Sequence, residues 1–174
     1  MLLEYMKTDV SKSKLLKKTE LPELREGYQK ILRWFFSFPD REIGLTDLSE
    51  ELEISKTTAK TIVNQLRVEN FLKIEILGKT WRISCNKAHP YNITKKISYN
   101  LELIYSSGIV EEIHKIIQTP RAIVLFGSYR KGDDTENSDM DIAVEILGNE
   151  EIKIVELGII NQFGHRNKVK INLI

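Results

Sequence analysis

The chain has 174 residues, 41% of them apolar, enough for one ordinary core or two small ones and too apolar for disorder throughout. Its 26 basic and 25 acidic residues nearly cancel, so bulk charge selects neither nucleic acid nor membrane as partner; residues 1–90 carry 16 basic and 13 acidic side chains, residues 91–174 carry 10 and 12. A lone Cys85 excludes an internal disulfide framework and a cysteine-based zinc cluster, and His89, His114 and His165 lack close ligand spacing; with neither a signal peptide nor the roughly 20 apolar residues of a membrane span, a soluble cytoplasmic protein is expected.

Residues 1–24 are Lys- and Ser-rich and end in Leu21-Pro22, where proline disfavours helix at the residue before it, so an arm or a short docking helix is expected. From Arg25 to Phe38, Tyr28, Ile31, Leu32, Phe35 and Phe36 recur at helical spacing until Pro39 stops the run. Thr46 precedes Leu48 and Leu52 on a short helix, a break follows at Glu53-Ile54, and Ser55 caps a second helix with Ala59, Ile62, Val63 and Leu66 inward. Lys73–Ile76 and Thr80–Ser84 alternate like strands, joined through Leu77-Gly78-Lys79, where glycine permits a tight turn.

Polar residues around His89-Pro90 interrupt the pattern, so a domain boundary is expected near residues 86–91, giving an arm (1–24), a first domain (25–88) and a second (94–174). Residues 93–117 read as one or two helices with Ile109, Ile113, Ile116 and Ile117 as a core stripe closed by Thr119-Pro120. Ala122–Phe126 and Asp139–Ile146 read as strands separated by a polar connection. Glu150–Phe163 is expected as a helix stopped by Gly164, and Lys168–Ile174 as a third strand. The fold class is α/β (α+β).

Two segments carry chemistry. Gly127 closes a strand where a side chain would block a ligand, and Ser128 offers a hydroxyl beside the free N–H groups of the following turn, a corner that favours an anion. Asp139 and Asp141, two apart on a strand, project from one face while Met140, Ile142 and Val144 enter the core. Such a pair suits Mg2+ (or Mn2+), which takes carboxylate and phosphate oxygens together. Either feature alone is commonplace; in this order and separated by one polar connection they are specific.

Gly127-Ser128, Lys131-Gly132, Ser138 and Asp139-Met140-Asp141 resemble the motif of the minimal nucleotidyltransferases of the DNA polymerase beta superfamily, over roughly residues 94–174. The resemblance implies a small mixed-sheet domain in which Gly127 and Ser128 bind the phosphates of a nucleoside triphosphate and Asp139 and Asp141, the catalytic pair, bind the metal. An acceptor hydroxyl then attacks the α-phosphate. The chain departs from the family where a third carboxylate normally stands on the next strand: that position is Asn172, and an amide takes no proton at neutral pH.

The helix, turn, helix and hairpin over residues 25–86 resemble the winged helix-turn-helix of prokaryotic regulators. Lys56, Thr57, Lys60, Thr61, Asn64 and Arg67 face outward on the second helix, a set suited to double-stranded DNA, and Lys79 and Arg82 lie on or beside the wing. Two readings follow: a nucleotidyltransferase that a DNA-binding domain brings to its target, and a DNA-binding regulator whose transferase domain senses nucleotide without turnover. A homodimer or a partner protein is a further expectation.

Overall fold

The computed structural model describes residues 26–117, 119–147, 153–162 and 165–173, so the expected arm over residues 1–24 and the Gly164 stop lie outside them. The first helix, α1 (Glu26–Ser37), buries Tyr28, Ile31, Leu32, Phe35 and Phe36 as their spacing predicts, and also Trp34, whose indole donates to Glu51 Oε1 at 2.8 Å. That bond satisfies its one polar atom inside the core. Helices α2 (Leu45–Glu51) and α3 (Lys56–Val68) follow; Ser55 caps α3 by accepting from the Thr58 N–H at 3.0 Å, and Ala59, Ile62, Val63 and Leu66 turn inward.

The hairpin of β2 (Leu72–Leu77) and β3 (Thr80–Cys85) has a third member the sequence did not announce. The two-residue β1 (Glu42–Ile43) pairs antiparallel with β3, giving the order β1-β3-β2. Two residues are too few to show alternation. Helices α1 to α3 and this sheet enclose one hydrophobic cluster that includes Phe38, Phe71, Leu72 and Ile83.

Residues 91–116 form three helices where one or two were expected: α4 (Tyr91–Thr94), α5 (Lys96–Ser106) and α6 (Ile109–Ile116). Ile109 and Ile113 are buried and Ile117 packs beside them, but Ile116 is 57% exposed and leaves the expected stripe, since the buried row runs by fours from Ile109 and Ile116 falls beside it. Among the described residues no helix is long and apolar enough to cross a membrane.

A second, four-stranded sheet has the order β4-β5-β7-β6, made by β4 (Ala122–Phe126), β5 (Met140–Glu145), β6 (Lys153–Gln162) and β7 (His165–Leu173). Strand β4 is antiparallel to β5, β5 is parallel to β7, and β6 returns antiparallel on β7. The expected helix over Glu150–Phe163 is therefore wrong: its described part is strand β6. Ile154, Val155, Ile159 and Ile160 are β-branched, and Gly158 weakens a helix interior, so nine pairings with β7 override the helical reading, with a register shift between Glu156 and Gly158. Met140, Ile142 and Val144 are buried against Ile104, Ile109, Ile113 and Tyr129 in the second hydrophobic cluster.

Candidate functional site

The ladder between β4 and β5 pairs Phe126 with Asp141, so the chain turns out of β4 at Gly127 directly beside the second acid of the pair. Gly127 adopts φ +68, and a Cβ built there would stand 2.7 Å from Asp141 Oδ2. Both the backbone angle and the proximity of the carboxylate require glycine. The five-residue helix α7 (Gly127–Lys131) then carries Ser128, half-buried, with Tyr129 turned into the core and Arg130 and Lys131 exposed. Asp139 stands one residue before β5 and Asp141 within it, both half-buried on either side of fully buried Met140. The Gly-Ser corner thus lies beside Asp141 where β4 ends and β5 begins, with Asp139 just ahead of β5.

The connection from Gly132 to Ser138 is fixed from beneath. Gly132 closes α7 with φ +79, and a Cβ there would fall 2.0 Å from the Asn92 carbonyl of α4, an approach only hydrogen allows. Two residues on, Asp134 is buried against Lys96 and Asn100 of α5: Lys96 Nζ lies 3.2 Å from Asp134 Oδ2 and also donates to the Asp134 carbonyl. Asn100 Nδ2 donates to Asp134 Oδ1 at 2.7 Å and to the carbonyl of Tyr129 at 2.9 Å. Burial lowers the Lys96 pKa and raises that of Asp134, each opposed by the attraction of its partner. The loop closes on a turn in which the Thr135 N–H donates to Ser138 Oγ at 2.9 Å, and Glu136 receives Arg41 at 2.7 Å.

The donor set fits a hard divalent cation only in part. Two carboxylates beside an open glycine corner leave positions for phosphate oxygens and water, as Mg2+ or Mn2+ prefers. Among the described residues no group of three or more His, Cys, Asp or Glu side chains gathers around a common point. Strand β7 contains no acidic residue; its register sets Lys170 beside Asp141 and Asn172 beside Ala143. Glu145, at the far end of β5, pairs with Arg121 at 3.3 Å and is no substitute. Nor is Cys85 a nucleophile: it is buried, and burial pushes its thiol up to about 11.

The outward residues of α3 form a separate feature. Lys56, Thr57 and Lys60 line a cleft of about 650 Å³ together with Lys79, Thr80 and Trp81 of the hairpin and the start of α2 from Gly44 to Asp47. Lys56 donates to Thr46 Oγ1 at 2.7 Å, and Lys60 Nζ stands 5.7 Å from the Trp81 ring centroid. Thr61 and Arg67 are exposed and Asn64 half-buried further along α3, outside the cleft. Arg82 is held on the sheet by Glu42 at 3.2 Å and Glu75 at 3.9 Å. Trp81, not singled out in the sequence, is partly buried against the first hydrophobic cluster and also lines this cleft.

Residues 107–172 match the family model described as a nucleotidyltransferase domain, a span running from the end of α5 through the Gly-Ser corner and the acid pair to Asn172. An uncharacterized protein of Clostridium beijerinckii is 34% identical over 86 residues, which is 47% of this chain and 46% of that protein, so the chain spans about half the length of the curated relative it matches. No solved structure matches the chain.

Proposed function

We propose that the segment matching a nucleotidyltransferase domain binds a nucleoside triphosphate with Mg2+ or Mn2+ at Gly127, Ser128, Asp139 and Asp141, and transfers its nucleotidyl group to an acceptor hydroxyl. The observation that carries the reading is the meeting of the Gly-Ser corner with Asp141, whose carboxylate oxygen stands 2.7 Å from where a Cβ on Gly127 would be. An anion-binding corner has no reason to sit against a carboxylate unless a cation joins them.

In this reading Ser128 donates its hydroxyl to a phosphate oxygen and Gly127 admits the phosphate close to the backbone. Asp139 and Asp141 hold the divalent ion, which supplies charge neutralisation on the phosphates. The acceptor oxygen forms a bond to the α-phosphorus, pyrophosphate leaves, and the hydroxyl proton passes to solvent. Positioning carries the rate, because neither Asn172 nor Lys170 provides a carboxylate base.

That deficit supports a second reading, a nucleotide-sensing domain without turnover in a DNA-binding regulator. Common to both is a winged helix-turn-helix over residues 25–86, in which α3 presents Lys56, Thr57, Lys60, Thr61, Asn64 and Arg67 to duplex DNA; its support is the cleft between α3 and the hairpin, lined by Lys56, Lys60 and Lys79. The deciding experiment is incubation with α-labelled nucleoside triphosphates and Mg2+ or Mn2+ beside cell extract, nucleic acid and protein, with Asp139→Asn/Asp141→Asn as control. Label transfer lost in the control establishes the transferase. No transfer with metal-dependent binding retained selects the sensor.

A further inference from the structure

The paired acids and the Gly-Ser corner belong to different elements, so their spacing depends on the connection between them. That connection is tied to a part of the chain neither motif includes. Lys96 and Asn100, one turn apart on α5, are each 1% exposed and Asp134 is 4% exposed. Asn100 reaches both sides at once, donating to the Tyr129 carbonyl, one residue past Ser128, and to Asp134, which leads to Asp139. Lys96 holds the same aspartate by its carboxylate and by its carbonyl.

A buried ion pair is a poor source of stability, because desolvating two charges offsets most of their attraction, and apolar residues of similar size often do as well. It is nonetheless directional: two polar atoms of one residue held by one ammonium fix a backbone more tightly than apolar packing does. We infer that Lys96 and Asp134, with Asn100, are positioning residues that set the distance between Ser128 and the Asp139/Asp141 pair. The inference rests on the proposed nucleotide site, whose geometry it explains.

The test is the variant Lys96→Met/Asp134→Leu, which removes both charges; the carbonyl of residue 134 loses its donor, and the Asn100 amide keeps its bond to the Tyr129 carbonyl. Its thermal unfolding is compared with the natural protein, and nucleotide capture is read by electron paramagnetic resonance of Mn2+ titrated with an equimolar mixture of ATP, GTP, CTP and UTP. The expected result is unfolding within a few degrees of the natural protein, with affinity for the Mn2+ nucleotide down at least about tenfold and an altered spectrum of the bound ion, since ligands to a metal must be held near their productive geometry by their supporting residues. Natural affinity and spectrum in the folded variant would overturn the inference and leave the nucleotide site standing. Should the double variant not fold, Asn100→Ala gives the second reading: it keeps the ion pair and cuts the amide's ties to both Tyr129 and Asp134, so unchanged affinity there overturns the inference as well. Absence of nucleotide capture by the natural protein brings down the proposed site itself, and the inference with it.

Discussion

Single residues do different work at the two ends of α7. At Gly132 an added methyl meets backbone, the Asn92 carbonyl at 2.0 Å, and Asn92 is itself locked by bonds from its amide to the carbonyls of Asn86, Lys87 and His89. At Gly127 the methyl meets the movable end of the Asp141 side chain. Gly132→Ala is therefore expected to cost about 3 kcal/mol or more of stability, from left-handed strain plus a clash that cannot relax, while Gly127→Ala costs less stability and abolishes nucleotide binding. Chemical denaturation of both variants checks this. Equal losses would mean that α4 yields to the corner. The juxtaposition of Gly127 with Asp141 was legible in the sequence because a Gly-Ser pair and an Asp-x-Asp pair, each commonplace alone, follow in order across one polar connection. Lys96 and Asp134 were not, since a lysine at the start of a helix and an aspartate in a polar loop ordinarily face water.

At the scale of elements, legibility followed the length and clarity of the period. Helix α3 and strand β5 carry their buried residues at unbroken spacing, and the sequence reads them, with the short apolar run of β4, nearly to the residue. Strand β6 misled, because its apolar residues fit either period and only its partner β7 decides between them. The Thr-rich, lysine-bearing face of α3 is solvated in either reading, which is why its use needs a test. Lys60→Ala and Arg67→Ala are each expected to weaken duplex binding in a mobility-shift assay and to lower the salt dependence by about one phosphate contact. Unchanged binding in both variants would dismiss α3 as the reader.

Across the whole molecule, the segment from His89 to Lys96 reaches both halves. Glu69, which ends α3, accepts from the hydroxyls of Tyr28 and Tyr91 at 3.1 Å each, and Lys95 Nζ stands 3.4 Å from the Tyr91 ring centroid. Further along this segment, the Asn92 carbonyl packs against Gly132 and Lys96 pairs with Asp134, both in the connection that follows the Gly127-Ser128 corner. Arg33 with Glu102 at 2.8 Å and Arg41 with Glu136 at 2.7 Å add surface ties between the same halves. In the sequence this stretch reads as a polar interruption, since a short helix held by side-chain bonds has no period to show.

The corner at Gly127 and Ser128 and the acids at Asp139 and Asp141 are proposed to form one metal-dependent nucleotide site. Its most direct test is calorimetric titration of each nucleoside triphosphate into the protein with and without Mn2+, repeated on Asp141→Asn. Binding that requires the metal and is lost in the variant is expected; binding of equal strength without Mn2+, or in Asp141→Asn, would rule out a metal-dependent site here.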